Sequence, residues 1–212
     1  MINKAIINAL IITGLLILVS LCIRLDVLYF HNDMGENSVT EMAQLVLLCI
    51  SIFSFFYLGK RKPELRHAAW LIGSFYLVLF IRENDGLLDN IYHGAWQVPA
   101  VIVTLSALIF AKQGGKKTFA EMNIILSARS INIVIMATLM LIIFSRFYGM
   151  NELWKTLLQH AFVREVKNVS EESIELLSYA MISYGSIKVC WEISRCKIQN
   201  NIKSYLNVIE EN

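Results

Sequence analysis

The chain has 212 residues, of which 56% are hydrophobic and only 17% are charged. It is more apolar and less charged than a soluble domain of average composition, and a formal net charge of +2 does not favour direct nucleic-acid binding. The four cysteines show neither a CxxC motif nor the spacing of a metal knuckle, and none of them lies in a predicted outer loop, so neither a zinc site nor a disulfide framework is expected.

About six apolar runs follow one another along the chain, at roughly 5–24, 39–59, 67–88, 96–112, 130–148 and 172–191. Each approaches or reaches the roughly 20 residues that a helix needs to cross a bilayer. Backbone polar groups within lipid must be satisfied inside the segment, so these runs are expected to be helices. The sequence therefore predicts an all-α, polytopic membrane helix bundle at residues 1–192, followed by a cytoplasmic amphipathic tail at residues 193–212.

The connections between these runs alternate in charge. Those after the second and fourth runs are basic, whereas those after the first, third and fifth are acidic. Lys and Arg near the ends of spans are retained in the cytoplasm. The alternation predicts a cell inner membrane protein with both termini cytoplasmic, which places 13 of the 19 Lys and Arg inside and 12 of the 17 Asp and Glu outside.

Two cytoplasmic segments are expected to form surface helices. Phe119, Met122 and Ile125 repeat at helical spacing beside Lys116 and Lys117. The tail repeats the pattern with Ile198, Ile202, Tyr205 and Ile209. Such a helix can lie on anionic membrane lipid or dock a cytosolic protein partner, and the sequence leaves both open.

Charged and polar residues fall within or at the ends of three of the predicted spans. This intramembrane acidic and polar cluster comprises Glu41, Gln44, Arg82, Glu83, Asp85, Asp89, Glu171 and Glu175. Ionisable groups in a bilayer are costly and so indicate function. Asp85 and Asp89 form an i,i+4 pair of like charges, for which Arg82 is the expected partner. The three polar stripes are expected to face one another in the outer half of the bundle.

Two interpretations of this cluster stay open. Acidic chains line the paths of cation channels and proton-coupled carriers, so the cluster could conduct or bind a substrate. Alternatively, arginines near the span ends pair with neighbouring carboxylates and only hold the helices together. The arginines in question are Arg24, Arg82, Arg146 and Arg164.

A metal site is the weaker chemical hypothesis. The candidates are His31, His93 and His160, which come from three different outer loops rich in carboxylates. Such ligands could bind zinc and activate water, but no HExxH spacing supports this, so no metal ligand is assigned. The sequence has no GxSxG, Walker or GxGxxG motif; we therefore predict no catalytic residue and no cofactor.

Two outer segments resemble motifs of small uncharacterised bacterial multi-spanning proteins. They are Arg82-Glu-Asn-Asp85 with Asp89, and Glu171-Glu-Ser-Ile-Glu175-Leu-Leu-Ser-Tyr179. The size and build of the chain are also similar to those of the membrane subunits of phage-defence operons, such as that of the Kiwa system. The resemblance implies an inner-membrane sensor or anchor that acts through a cytosolic partner in antiviral defence, without chemistry of its own.

The sequence thus favours a non-enzymatic inner-membrane sensor, anchor or pore component over a catalyst. One alternative is a metal-dependent membrane-embedded enzyme that acts on lipid headgroups at the outer leaflet. The other is a small cation or proton-coupled carrier, which six spans could support as a homo-oligomer.

Overall fold

The computed structural model describes residues 2–30 and 38–195, and every regular element within those ranges is helical. The predicted all-α class is therefore confirmed. The α-helices are α1 (Ile2–Arg24), α2 (Val39–Arg61), α3 (Arg66–Glu83), α4 (Asp85–Asp89), α5 (Gln97–Gly114), α6 (Lys116–Leu126), α7 (Ile131–Leu139), α8 (Ser145–Tyr148), α9 (Asn151–Leu158) and α10 (Arg164–Arg195).

Within residues 2–30 and 38–195, five helical segments are long and apolar enough to cross a membrane. They are Ala5–Tyr29, Val39–Arg61, Pro63–Glu83, Gln97–Gly114 and Ile131–Tyr148. These segments match the first five predicted runs closely. The sixth predicted run lies inside α10, a 32-residue helix that does not meet the same criterion of apolarity.

The apolar segments differ in how much of them the protein covers. In the 18-residue apolar stretch of Ala5–Tyr29 only 11% is buried, compared with 44% in that of Val39–Arg61. Most of the exposed side chains of α1 are large and apolar, for example Leu10, Ile17 and Leu21. Such a surface suits lipid, because a soluble domain would bury it.

The third predicted span ends earlier than expected. Asn84 leaves the helical conformation, with φ −99° and ψ 22°, and its side-chain Nδ2 donates to the Phe80 carbonyl over 2.7 Å. An asparagine side chain that competes for backbone groups in this way favours a helix end. Asp85 and Asp89 therefore belong to the separate helix α4, and the predicted run 67–88 is wrong beyond Glu83.

A tight turn joins α5 to α6. Gly115 has φ 52° and ψ −132°, which a residue with a side chain rarely adopts. Thr118 Oγ1 donates to the Ala111 carbonyl over 2.6 Å across this turn. The turn brings the first residues of α6 back to the end of α5.

By its internal contacts the chain divides into two compact units. Of the described residues, the first unit comprises 2–30, 38–46 and 136–181, and the second comprises 47–135 and 182–195. Buried Leu141, Leu176 and Tyr179 contribute to the core of the first unit. In the second unit the rings of Phe55 and Tyr76 stack with centroids 5.9 Å apart.

Small residues allow close helix packing within the second unit. A Cβ on Gly73 would lie 2.9 Å from the Phe56 ring, and one on Gly185 would lie 2.7 Å from Val134. Helices in membranes commonly approach one another at such positions, because the hydrophobic effect does not drive their association there. The predicted amphipathic tail lies past Arg195, the last residue that the structure describes, so that prediction stays open.

Candidate functional site

The first unit brings the polar residues of the second and sixth predicted runs together. Gln44, on α2, is fully buried, and its Nε2 donates to Glu172 Oε2 on α10 over 2.9 Å. The same nitrogen lies 3.4 Å from the Glu172 carbonyl oxygen. This contact joins α2 to α10 at Glu172, whereas the sequence analysis selected the neighbouring Glu171 and Glu175.

Arg146, on α8, binds the other two carboxylates of this stretch of α10. Its Nη1 lies 3.8 Å from Glu171 Oε1, and its Nη2 lies 3.5 Å from Glu175 Oε1. Lys167 Nζ, one turn before Glu171, donates to Glu171 Oε2 over 2.9 Å. Glu175 is 4% exposed, so its charge needs such a partner. Arg146 therefore makes the carboxylate contacts that the structural interpretation expects, and that interpretation stays a hypothesis.

Asp26 is a buried carboxylate that the sequence analysis did not select. It is 1% exposed and follows α1 in the π-helical turn Leu25–Tyr29. Its Oδ1 accepts from Val39 N over 2.9 Å, and its Oδ2 accepts from Thr40 N over 2.7 Å and from Thr40 Oγ1 over 2.6 Å. Asp26 therefore caps the N-terminus of α2, whose first N–H groups have no partner within the helix.

Glu41 lies in the first turn of α2 rather than deep in a span. The sequence Ser38-Val-Thr-Glu41 is that of a capping box, and Glu41 N donates to Ser38 Oγ over 3.0 Å. This Ser-x-x-Glu spacing is a sequence signal that predicts a helix start at Ser38. A helix start is thus an ordinary structural role for Glu41.

In the second unit, the expected pairing of Arg82 with Asp85 and Asp89 is not formed. Asp89 instead accepts from Gly94 N over 2.8 Å and lies 3.0 Å from His93 Nδ1. The break at Asn84 is the reason, because the three residues no longer share one continuous helix. Asp89 therefore stabilises the turn after α4.

A second buried carboxylate that the sequence analysis missed is Glu121, on α6. It is fully buried, and its Oε2 accepts from Ala68 N over 3.0 Å while Oε1 lies 3.0 Å from His67 Nδ1. Lys117 Nζ lies 3.9 Å from Oε1, and the His67 ring stacks on Phe110 with centroids 4.9 Å apart. Glu121 thus caps α3 and fastens α6 to it.

Glu192, on α10, caps the start of α7, as Asp26 caps α2 and Glu121 caps α3. Its Oε2 accepts from Ser130 N over 3.1 Å and its Oε1 accepts from Ser130 Oγ over 2.6 Å, immediately before α7 begins. Asp26, Glu121 and Glu192 each cap a helix from a distant part of the chain. These caps join residues 13 to 62 positions apart, so a local sequence pattern does not reveal them.

The three candidate metal ligands are not brought together in the part of the chain that the structure describes. His93 is fully exposed and lies beside Asp89, and His160 lies in the exposed turn Gln159–Ala161. His31 falls outside the described residues. Within residues 2–30 and 38–195, no three His, Cys, Asp or Glu side chains are grouped so that they could hold a metal ion.

Comparison with known proteins gave no match to any protein-family model, curated protein or solved structure. The resemblance to the membrane subunits of phage-defence operons therefore stays a hypothesis.

Proposed function

We propose that this chain is a non-enzymatic membrane subunit, a sensor or anchor that acts through a cytosolic partner. In this proposal the chain lies in the bacterial inner membrane with six spans and both termini in the cytoplasm. The five apolar segments and the alternating loop charges support this topology. The sixth span is α10, whose 32 residues exceed the roughly 20 needed to cross a bilayer.

The lower apolarity of α10 is compatible with a span. Its buried side chains include Ser178, Ser183 and Ser186, and Ser178 and Ser186 each donate to the carbonyl one turn earlier in the helix. A helix that protein rather than lipid covers can carry such small polar residues, which are common where membrane helices pack.

The observation that carries the partner proposal is the arrangement of α6. Glu121 fastens this helix to α3 through Ala68 and His67, so its position is fixed. Phe119 is nevertheless 74% exposed, and the exposed Lys116 precedes it by one turn. On the proposed topology this rigid, basic helix with an aromatic side chain at its surface faces the cytoplasm, where it can bind a partner or anionic lipid.

A role in antiviral defence is the specific form of this proposal, and the similarity of the chain in size and build to the membrane subunits of phage-defence operons supports it. The test is phage challenge of cells that carry the chain with its genomic neighbours, read as the efficiency of plating. Deletion of the chain should abolish protection, and Phe119→Asp should abolish both protection and co-purification of the neighbour-encoded cytosolic protein. The matched control is Tyr92→Asp, which changes an exposed aromatic residue in the turn between α4 and α5, outside α6 and outside the apolar segments.

The metal-dependent enzyme alternative requires the three candidate histidines, whereas a sensor or anchor does not. The variant His31→Ala/His93→Ala/His160→Ala should keep full protection if the chain is a sensor or anchor. Stoichiometric zinc in the purified protein, lost together with function in this variant, would contradict the proposal. Full protection by Phe119→Asp would contradict the role given to α6.

A further inference from the structure

A groove lies between α3 and α5, both of which belong to the second unit. Its volume of about 350 Å³ is at the lower end of the range for ligand pockets. Phe75 is 41% exposed and Leu108 is 53% exposed, so the groove opens at the surface of two segments that are apolar enough to cross a membrane. The side chains that line it include Leu71, Phe75 and Val78 of α3 and Thr104, Ala107 and Leu108 of α5.

The groove has the length and the polarity that suit a lipid chain. Leu71 and Val78 are seven residues apart on α3, which corresponds to about 10 Å along the helix. One leaflet supplies about half of a hydrocarbon core that is about 30 Å thick, so the groove fits within one leaflet. Thr104 Oγ1 donates to the Ala100 carbonyl over 2.8 Å, and this hydroxyl therefore needs no polar ligand. An acyl chain matches such walls.

Two aromatic rings hold the guanidinium of Arg66 at one end of this groove. The Arg66 Cζ atom lies 5.0 Å from the ring centroid of Trp70 and 5.8 Å from that of Phe110. Trp70 directly precedes Leu71, and Phe110 follows Ala107 by about one turn, so both rings adjoin the groove. A guanidinium that stacks on rings through its face keeps the N–H donors along its edge for a phosphate group.

Lys112 adds a second cation at the same end. It follows Leu108 by one turn on the same face of α5. Arg66 and Lys112 are both exposed, and neither has a carboxylate within ion-pair distance among residues 2–30 and 38–195. Two cations without a carboxylate partner, beside an apolar groove, complement an anionic headgroup that carries an acyl chain.

We propose that the groove between α3 and α5 binds an anionic phospholipid, with an acyl chain along residues 71–78 and the phosphate at Arg66 and Lys112. On the proposed topology these two cations lie on the cytoplasmic side, so the lipid comes from the inner leaflet. The inference goes beyond the proposed function, because the site needs no partner protein. Only the choice of leaflet rests on the proposed topology.

The test is native mass spectrometry of the full chain in detergent, titrated with phosphatidylglycerol or with phosphatidylcholine of the same acyl chains. We expect one phosphatidylglycerol to bind about tenfold more tightly than phosphatidylcholine, because choline neutralises the phosphate that the cations face. Arg66→Gln should remove most of this preference. Ala107→Trp fills the groove and should remove the tight binding of phosphatidylglycerol.

Each variant has a matched control. Leu105→Trp places the same ring on α5 at a residue that is 54% exposed and does not line the groove. Arg61→Gln removes an exposed arginine at the end of α2. Both controls should bind phosphatidylglycerol as the wild type does.

Equal affinity of the wild type for the two lipids would overturn the proposal, as would wild-type binding by Arg66→Gln or by Ala107→Trp. Competition by glycerol phosphate at the concentration of the lipid would also overturn it, because the cations would then bind a free phosphate without help from the groove. If Ala107→Trp does not fold, the comparison of the two lipids and the Arg66→Gln variant decide. Phage protection and the Phe119→Asp variant are independent of these measurements, so failure of this proposal is distinct from failure of the proposed function.

Discussion

The N-terminus of α2 should be the most sensitive point of the first unit to a single substitution. Asp26 is buried there and accepts three hydrogen bonds, two from backbone N–H groups and one from the Thr40 hydroxyl. Asp26→Ala leaves these donors without an acceptor, and each buried donor without a partner costs about 1–3 kcal/mol. Val39 N is only partly buried and can be hydrated, so we expect a total loss of about 2–5 kcal/mol in the free energy of unfolding.

The assay is reversible unfolding of the purified protein in mixed micelles with increasing dodecyl sulfate, followed by circular dichroism. Asp26→Asn keeps one side-chain oxygen as an acceptor and should lose about half as much stability. The matched control is Asp89→Ala, which also removes a carboxylate that accepts from a backbone N–H, but at a side chain that is 31% exposed. Water can replace that contact, so the control should lose less than about 1 kcal/mol. Equal losses in Asp26→Ala and Asp89→Ala would refute the assignment of Asp26 as a buried cap.

Two further predictions concern the other buried carboxylates. Arg146→Ala should lower the free energy of unfolding by about 1–3 kcal/mol, which is less than for a fully buried ion pair because the Arg146 side chain is 51% exposed. In a double-mutant cycle, Glu175→Gln should restore part of this loss. An unchanged unfolding midpoint in Arg146→Ala would show that water, not Arg146, compensates Glu175. Glu121→Ala should cost about 1–3 kcal/mol because Ala68 N loses its acceptor, and limited proteolysis should then cut near α6 faster than in wild type. A wild-type cleavage rate near α6 would contradict the role of Glu121 in fastening that helix.

The helices and their order could be predicted from the sequence because apolar runs of membrane-spanning length leave few alternatives. The end of the third run could not, because it depends on the conformation of one residue, Asn84, within a hydrophobic pattern that continues past it. The apolar pattern also did not predict α9, a short helix in the acidic loop that follows the fifth run.

The polar residues, too, could be predicted only in part from the sequence. The sequence analysis selected Gln44, Glu171 and Glu175 as polar groups in apolar runs, and in the structure each of them contacts a partner. It could not show which carboxylates cap distant helices. Asp26 and Glu121 look like ordinary loop or surface charges until the fold brings a helix N-terminus against them.

The topology of the chain is the central claim, and the side of the membrane on which residue 200 lies tests it most directly. In a variant without the four native cysteines, single cysteines would replace Asn90, Asn151, Gln113 and Asn200, and a membrane-impermeant thiol reagent would be applied to spheroplasts. Asn90, Asn151 and Gln113 are exposed, so labelling there reports on sidedness rather than burial.

Six spans with both termini in the cytoplasm predict that the reagent labels positions 90 and 151, and labels positions 113 and 200 only after the cells are lysed. Labelling of position 200 in intact spheroplasts would mean that α10 does not cross the membrane. That result would contradict the six-span account and leave the five apolar segments as the only spans in the described part of the chain.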